Sequence, residues 1–440
     1  MRAAPGLLFT VVACLALSGA AQAAPARTPS PLPTASPDSV GFSGERLKRL
    51  GVAMQGFVDG GRVAGMTTVL IRHGKVVSFE TYGKKSLAGG APMTRDTVFR
   101  IYSMSKPITS VAMMILFEEG KWRLDDPISK YLPAFAHMKV AAGTDARGQP
   151  IIEDARRPPT MRELMSHTAG LGYGQMDGRE ANRLLRERKV MQADSLQAMS
   201  EAVASVPLLS QPGTAWSYSL SQDVEGAIIE KLSGQSLGQF FEQRIFRPLK
   251  MNDTGFTVPA DKLPRLAELY RYDPKTGGLV SLAGATEDLV HDYSKPPKLE
   301  SGGGGLVSTA SDYARFAQML ANGGVLEGAR ILSPGSVKLL GTNAIPKAAF
   351  EIPNGNGIKF GEALGYGLGV MVVNDPAAIG SLEGRGSMSW DGAASTWFWV
   401  DPENDVVFVG MIQVMGGPVR LDLQALSRTL TYQALTDAKR

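Results

Sequence analysis

The sequence predicts an α/β fold: a mainly antiparallel sheet flanked by helices, with an all-helical region inserted between the two parts that build the sheet. Three observations predict it. Strand-like runs lie near both ends of the chain, at 67–71 and 76–79 and again at 366–373, 395–400 and 406–414. Between about 121 and 299 the apolar spacing is helical, with little strand signal. Amphipathic helical segments accompany the strands, at Arg46–Val58 and from about residue 420 onward. The sheet-forming part therefore covers about 38–120 and 300–440, with the helical region between.

Composition agrees and narrows the function classes. The chain has 440 residues, 44% hydrophobic and 20% charged, which suits a globular protein with ample core. Fifty glycines without a three-residue period and a single cysteine exclude collagen-like and disulfide-scaffold readings. A net charge of +4 and no run of five Lys or Arg make a weak field, so no nucleic-acid partner is expected.

In chain order, Arg2, the apolar stretch Leu7–Leu17 and Ala21-Gln22-Ala23 form a secretory signal peptide over residues 1–23. The expected location is periplasmic or secreted. Val11-Val12-Ala13-Cys14 offers a competing lipoprotein signal with a lipid anchor at Cys14, although the apolar run continues past that cysteine. No later segment has the ~20 apolar residues of a membrane span. Residues 24–40 are rich in Pro, Ser and Thr and read as an extended leader. His73-Gly74-Lys75 joins the first two strands into a hairpin. Ser103–Glu119 reads as a helix, with Pro107 in its first turn and Gly120 closing it. After Gly302–Gly305 a helix is expected at about 310–322, and Asp401–Asp405 turns between the last two strands. The final helix should turn Leu421, Leu423, Leu426, Leu430 and Leu435 inward.

Ser103-Met104-Ser105-Lys106 is an S-x-x-K sequence at the start of a helix, placing hydroxyl and amine on one face. A serine hydroxyl is a weak nucleophile until a neighbouring base takes its proton, and a buried neutral lysine can do so. The motif is short enough to recur by chance. Tyr218-Ser219-Leu220 opens an amphipathic helix after Pro212-Gly213-Thr214; a tyrosine beside a lysine can relay a proton, or simply anchor a loop. Trp390-Asp391-Gly392-Ala393 precedes the strand Trp397–Val400, where a backbone N–H can face an oxyanion and a glycine admits substrate closely.

In this order and spacing the three segments resemble the serine hydrolases related to class C β-lactamases and penicillin-binding proteins, most closely the family VIII carboxylesterases. Leu164–Leu171 and Gly303–Thr309 support the resemblance, which covers about residues 38–435. It implies a β-lactamase/transpeptidase-like fold and an acyl-enzyme on Ser103. By the same resemblance Lys106 and Tyr218 share the base work, and the N–H groups of Ser103 and Ala393 hold the oxyanion. Trp390 would wall the acyl pocket beside Gly392. Lactamases carry a lysine where Trp390 stands and usually an asparagine where Leu220 stands. Losing the cation that pairs a desolvated carboxylate costs about 2–5 kcal/mol. An uncharged ester loses nothing, so a small-molecule ester is the expected substrate. A β-lactamase, D-amino-acid peptidase or acyltransferase on the same fold is the alternative, and a non-catalytic penicillin-binding-like module is a further one.

Other motifs lead elsewhere. Gly234-Gln235-Ser236-Leu237-Gly238 fits the nucleophile elbow of another hydrolase fold, but Gly234 closes one helix and Ser236 caps the next. His73, His137, His167 and His291 have no metal-ligand spacing, so neither metal nor cofactor is expected. His291 beside Asp292 leaves a histidine-based triad open, and His167 reads as a brace for the site region. Gly302–Gly305 lacks the G-K-[ST] of a phosphate loop and reads as cleft-edge backbone.

Overall fold

The computed structural model describes Met1 and residues 32–174, 177–285, 291–350 and 358–437. The expected signal peptide beyond Met1, Cys14 as an expected lipid-anchor site, and the first part of the expected leader lie outside the described residues. Among the described residues no helix is long and apolar enough to cross a membrane.

Two strands, β1 (Gly65–Arg72) and β2 (Lys75–Gly83), form the expected hairpin. Its turn holds His73 and Gly74 at φ 51° and 69°, the left-handed pair that matches strand twist. Five further strands come from the C-terminal part: β3 (Leu364–Tyr366), β4 (Met371–Val373), β5 (Met388–Asp391), β6 (Trp397–Asp401) and β7 (Val406–Met411). They complete a seven-stranded antiparallel sheet in the order β3-β4-β5-β6-β7-β1-β2. Val69 of β1 sits opposite Val409 of β7, so the two ends of the chain close one sheet.

Strand alternation then sorts side chains into two cores. Leu70, Trp397, Trp399 and Phe408 face one way, against helices α1 (Gly44–Asp59) and, from the far end of the chain, Val419–Tyr432. Val69, Ile71, Phe398 and Val409 face the other, against the helix Ala310–Ala321 and the helical region. Because both faces are covered, every residue of β1 is buried. Within the helical region, α2 (Ser105–Glu118) packs on α3 (Ser221–Ser233). Burying Met113, Met114 and Leu116 on α2 alone removes about 2 kcal/mol of apolar exposure each.

Four expectations need correction. The helix at the S-x-x-K sequence begins at Ser105, not Ser103: Tyr102–Met104 is a separate 3₁₀ turn, with Tyr102 at φ 42°. The inserted region is not wholly helical. It carries the hairpins Lys139–Thr144 with Pro150–Asp154 and Tyr270–Tyr272 with Leu279–Ser281. The first of these is largely exposed, Ile151 and Ile152 included, so no alternation of buried and exposed residues marks it. Trp390 lies within a strand of its own, β5, where the sequence reading has only an approach to the strand Trp397–Val400. The last helix buries Leu423, but Leu421 is 64% exposed and Leu435 lies beyond the helix, bridging to Phe42. The second half of the leader is also placed: Thr34 bridges to Val76 beside β2.

Candidate active site

The Ser103 turn is fixed from three sides. Val98–Arg100, just before it, pairs antiparallel with Val307–Thr309, which sets the Gly302–Gly305 loop against the turn. The N–H of Ile101 donates to the Leu306 carbonyl at 3.1 Å. On the third side stands the turn joining β5 to β6. A methyl on Gly392 would collide with the Ile101 carbonyl, so glycine is what lets the two turns meet.

Within this frame the three predicted groups converge. The Tyr218 hydroxyl donates to Ser103 Oγ at 2.6 Å, and Lys106 Nζ donates to the same oxygen at 3.3 Å. Lys106 is wholly buried on the first turn of α2, and its second contact is the Gly303 carbonyl at 2.6 Å. Lys106 Nζ also lies 4.6 Å from the Tyr218 ring centre and 5.3 Å from that of Tyr173. Desolvation pushes the Tyr218 phenol above its ordinary range, with the Ser103 hydroxyl partly offsetting it. At rest Tyr218 is therefore a neutral phenol that can give up a proton to a developing alkoxide.

Trp390 and its neighbours form an aromatic wall. The Tyr218 ring stacks on Tyr173 at 5.1 Å between centres and meets Trp390 at 5.6 Å, and Trp390 meets Tyr366 edge-on at 5.2 Å. These side chains have few rotamers and hold one another, which fixes the phenol oxygen over Ser103. Ala393 and Leu220 line the same cleft, whose volume is about 1450 Å³. The Gly392 N–H is already used by the Thr396 carbonyl at 2.8 Å, closing the β5–β6 turn behind Ala393. The turn is completed by Ser395 at φ 67°, whose hydroxyl donates to the Val414 carbonyl at 2.7 Å.

His167 braces the wall. It is buried at φ 58°, its Nδ1 lies 2.8 Å from Ser219 Oγ, and its ring packs on Tyr218 at 5.0 Å. Desolvation first, and then the Lys106 charge, hold its pKa well below the usual histidine value, so it is neutral. His291 lies exposed at the cleft mouth, Asp292 accepts from the Ser294 hydroxyl, and Ser103 Oγ meets the side chains of Tyr218 and Lys106. Ser236 caps the helix Leu237–Phe241 in a capping box, as its sequence context implied. Among the described residues, no group of three or more His, Cys, Asp or Glu side chains is arranged to hold a metal ion.

Sequence reasoning missed Tyr173 and Tyr366, which have no motif and reach the site only through the fold. It also gave no role to Asp223, whose neighbour Glu225 is buried without a hydrogen-bond partner among the described residues. Burial and the adjacent Asp223 charge raise the Glu225 carboxyl to about 8.

Known proteins share this arrangement of chain. A Mycobacterium tuberculosis protein, Rv1367c, is 36% identical over 81% of this chain and 87% of its own length. Esterase EstB of Burkholderia gladioli is 28% identical, over 77% and 83% respectively. Among solved structures, EstCE1, described as a hydrolase with promiscuous acyltransferase activity, superposes with a TM-score of 0.72 at 26% identity, covering 88% of this chain and 99% of EstCE1. The family model named Beta-lactamase matches residues 53–433, nearly the whole described chain, and the protein belongs to that family.

Proposed function

We propose that the protein is a serine carboxylesterase that works through a Ser103 acyl-enzyme. The observation that carries this is the convergence of the Tyr218 hydroxyl and Lys106 amine on one serine oxygen inside a large cleft with an aromatic wall. The esterase name of EstB and the hydrolase description of EstCE1 support the same reading.

The chemistry follows from the geometry. Ser103 Oγ attacks the ester carbonyl carbon while the Lys106–Tyr218 pair, in the form that has shed one proton, takes the hydroxyl proton. The N–H groups of Ser103 and Ala393 receive the developing oxyanion. When the tetrahedral intermediate collapses, the C–O bond to the alcohol breaks and the Tyr218 phenol protonates the leaving oxygen. Water then attacks the acyl carbon, its proton passes to the same base pair, and Ser103 leaves with a proton restored. Trp390 and Leu220 supply apolar surface where a charged substrate would need a cation or an amide. Uncharged esters are thus preferred to β-lactams. Action outside the cytoplasm, secreted or periplasmic, rests on residues 1–23.

Acyl transfer to an alcohol is the second reading. A cleft of about 1450 Å³ has room for an acyl group and a separate acceptor, and EstCE1 is described with such an activity. Incubation with p-nitrophenyl butyrate and with a chromogenic cephalosporin, beside Ser103→Ala and Ser236→Ala, tests the first reading. Ester turnover lost only in Ser103→Ala supports it. Cephalosporin turnover exceeding ester turnover contradicts it. Product analysis with added alcohol separates hydrolysis from transfer.

A further inference from the structure

We propose that Asp223 is a positioning residue for the Lys106–Tyr218 base pair: it pins the Gly302–Gly305 loop so that the Gly303 carbonyl holds the Lys106 amine against Ser103. The proposal deepens the esterase reading and rests on it.

The chain of contacts is continuous. Asp223 lies on α3, 1% exposed, with no solvent to satisfy its carboxylate. Its Oδ1 accepts from the Ser301 hydroxyl at 2.5 Å and from the Gly303 N–H at 3.1 Å. The same residue whose N–H donates to Asp223 offers its carbonyl to Lys106 Nζ at 2.6 Å. One residue earlier, the Gly302 carbonyl accepts from Thr109 Oγ1 at 2.7 Å, and Thr109 stands one turn beyond Lys106 on α2. The loop is thus clamped by α3 through Asp223 and by α2 through Lys106 and Thr109.

The glycines are what permit this closeness. A methyl on Gly303 would collide with Asp223 Oδ2, and one on Gly302 with the Gln222 carbonyl. Lys106 has a flexible stem and three donors, so without a fixed acceptor its amine has no reason to face Ser103. A shift of about 1 Å in the loop therefore costs on the order of 100-fold in rate, because proton transfer needs the heavy atoms within hydrogen-bond reach.

Charge supports the same assignment. Burial raises the Asp223 carboxyl, and the Lys106 charge is the largest influence opposing it. The other ionisable groups around it are Glu225 on its own helix and the phenols of Tyr173 and Tyr218. Glu225 makes no hydrogen bond to the loop, so the loop contact belongs to Asp223.

The test is a cycle of Asp223→Ala, Asp223→Asn, Gly303→Ala and the double variant Gly303→Ala/Asp223→Ala. Each is assayed for kcat and KM on p-nitrophenyl butyrate, for the rate of fluorophosphonate labelling, and for melting temperature. The expected result is a kcat loss of about 100-fold in Asp223→Ala with KM within about threefold. Asparagine keeps the oxygen acceptor and should recover kcat to within about tenfold of wild type. Gly303→Ala should lose a similar factor alone but little more in the Asp223→Ala background, where the colliding carboxylate is gone. An Asp223→Ala protein with wild-type kcat, asparagine no better than alanine, or fully additive losses would each overturn the proposal. If Asp223→Ala fails to fold, a folded Gly303→Ala with unchanged kcat overturns it equally. A wild-type protein that neither turns over ester nor labels overturns the esterase reading itself, and this proposal with it.

Discussion

Tyr218 and Ser103 are 115 residues apart in the chain, yet their side-chain oxygens lie 2.6 Å from each other. The contact is made by two helices that pack together, α2 beginning just after the serine and α3 just after the tyrosine. Both helix starts place the reactive side chain in the turn before the helix. There the backbone is free to aim it into the cleft.

Replacing Tyr218 with Phe should therefore remove chemistry and leave the fold. The ring keeps its stack on Tyr173 and its contact with Trp390, and only the hydroxyl is lost. Loss of a proton-transfer group predicts a fall in kcat of about 10²–10⁴-fold, with KM little changed. Steady-state kinetics on p-nitrophenyl butyrate check this.

Ser236→Ala should do the reverse. Ser236 accepts from the Gln239 N–H as a helix cap, so its loss costs about 1 kcal/mol of stability and leaves turnover intact. Thermal melting paired with an activity assay measures both outcomes.

Glu225 makes a prediction about pH. Its folded-state pKa is raised from 4.5 to about 8, by burial first and then by the Asp223 charge. The native state thus holds a proton that the unfolded chain releases above pH 4.5. Its contribution to stability is present below that pH and is lost as pH rises through 8. Glu225→Gln, which cannot ionise, should gain about 1 kcal/mol or more over wild type at pH 8.5 and little near pH 4. Denaturant melts at the two pH values decide it.

His167 works with the opposite sign. Its folded pKa lies well below 6.5, so the unfolded chain binds a proton that the native state refuses. That penalty is absent above pH 6.5 and grows as pH falls below it. A His167→Gln variant, which keeps a polar group toward Ser219, should lose less stability between pH 7 and pH 5 than wild type does. Melting curves at those two pH values provide the comparison.

Much of this was legible in the sequence, for identifiable reasons. Ser103, Lys106 and Tyr218 stood out because their chemistry is tied to short local patterns next to helix starts. The sheet was legible at β1, β6 and β7, where strands buried on both faces read as continuous apolar runs. Strand β5 was not, since Met388–Asp391 is short and carries a serine and an aspartate. Tyr173, Tyr366 and Asp223 were hidden for another reason. Each acts through partners distant in sequence, and no local spacing encodes those contacts. The turn at Tyr102–Met104 was misread because helical spacing continues across it, while Tyr102 departs to positive φ.

Where the acyl group goes during turnover is the most direct question. Mixing the protein with a p-nitrophenyl ester, quenching in acid within the first turnover and mapping peptides by mass measures it. The expected result is one acyl group on the peptide containing Ser103, absent from Ser103→Ala and formed more slowly in Tyr218→Phe, which lacks the phenol that assists acylation and deacylation alike. An acyl group on Ser236 or any other residue, or ester turnover that survives in Ser103→Ala, would contradict it.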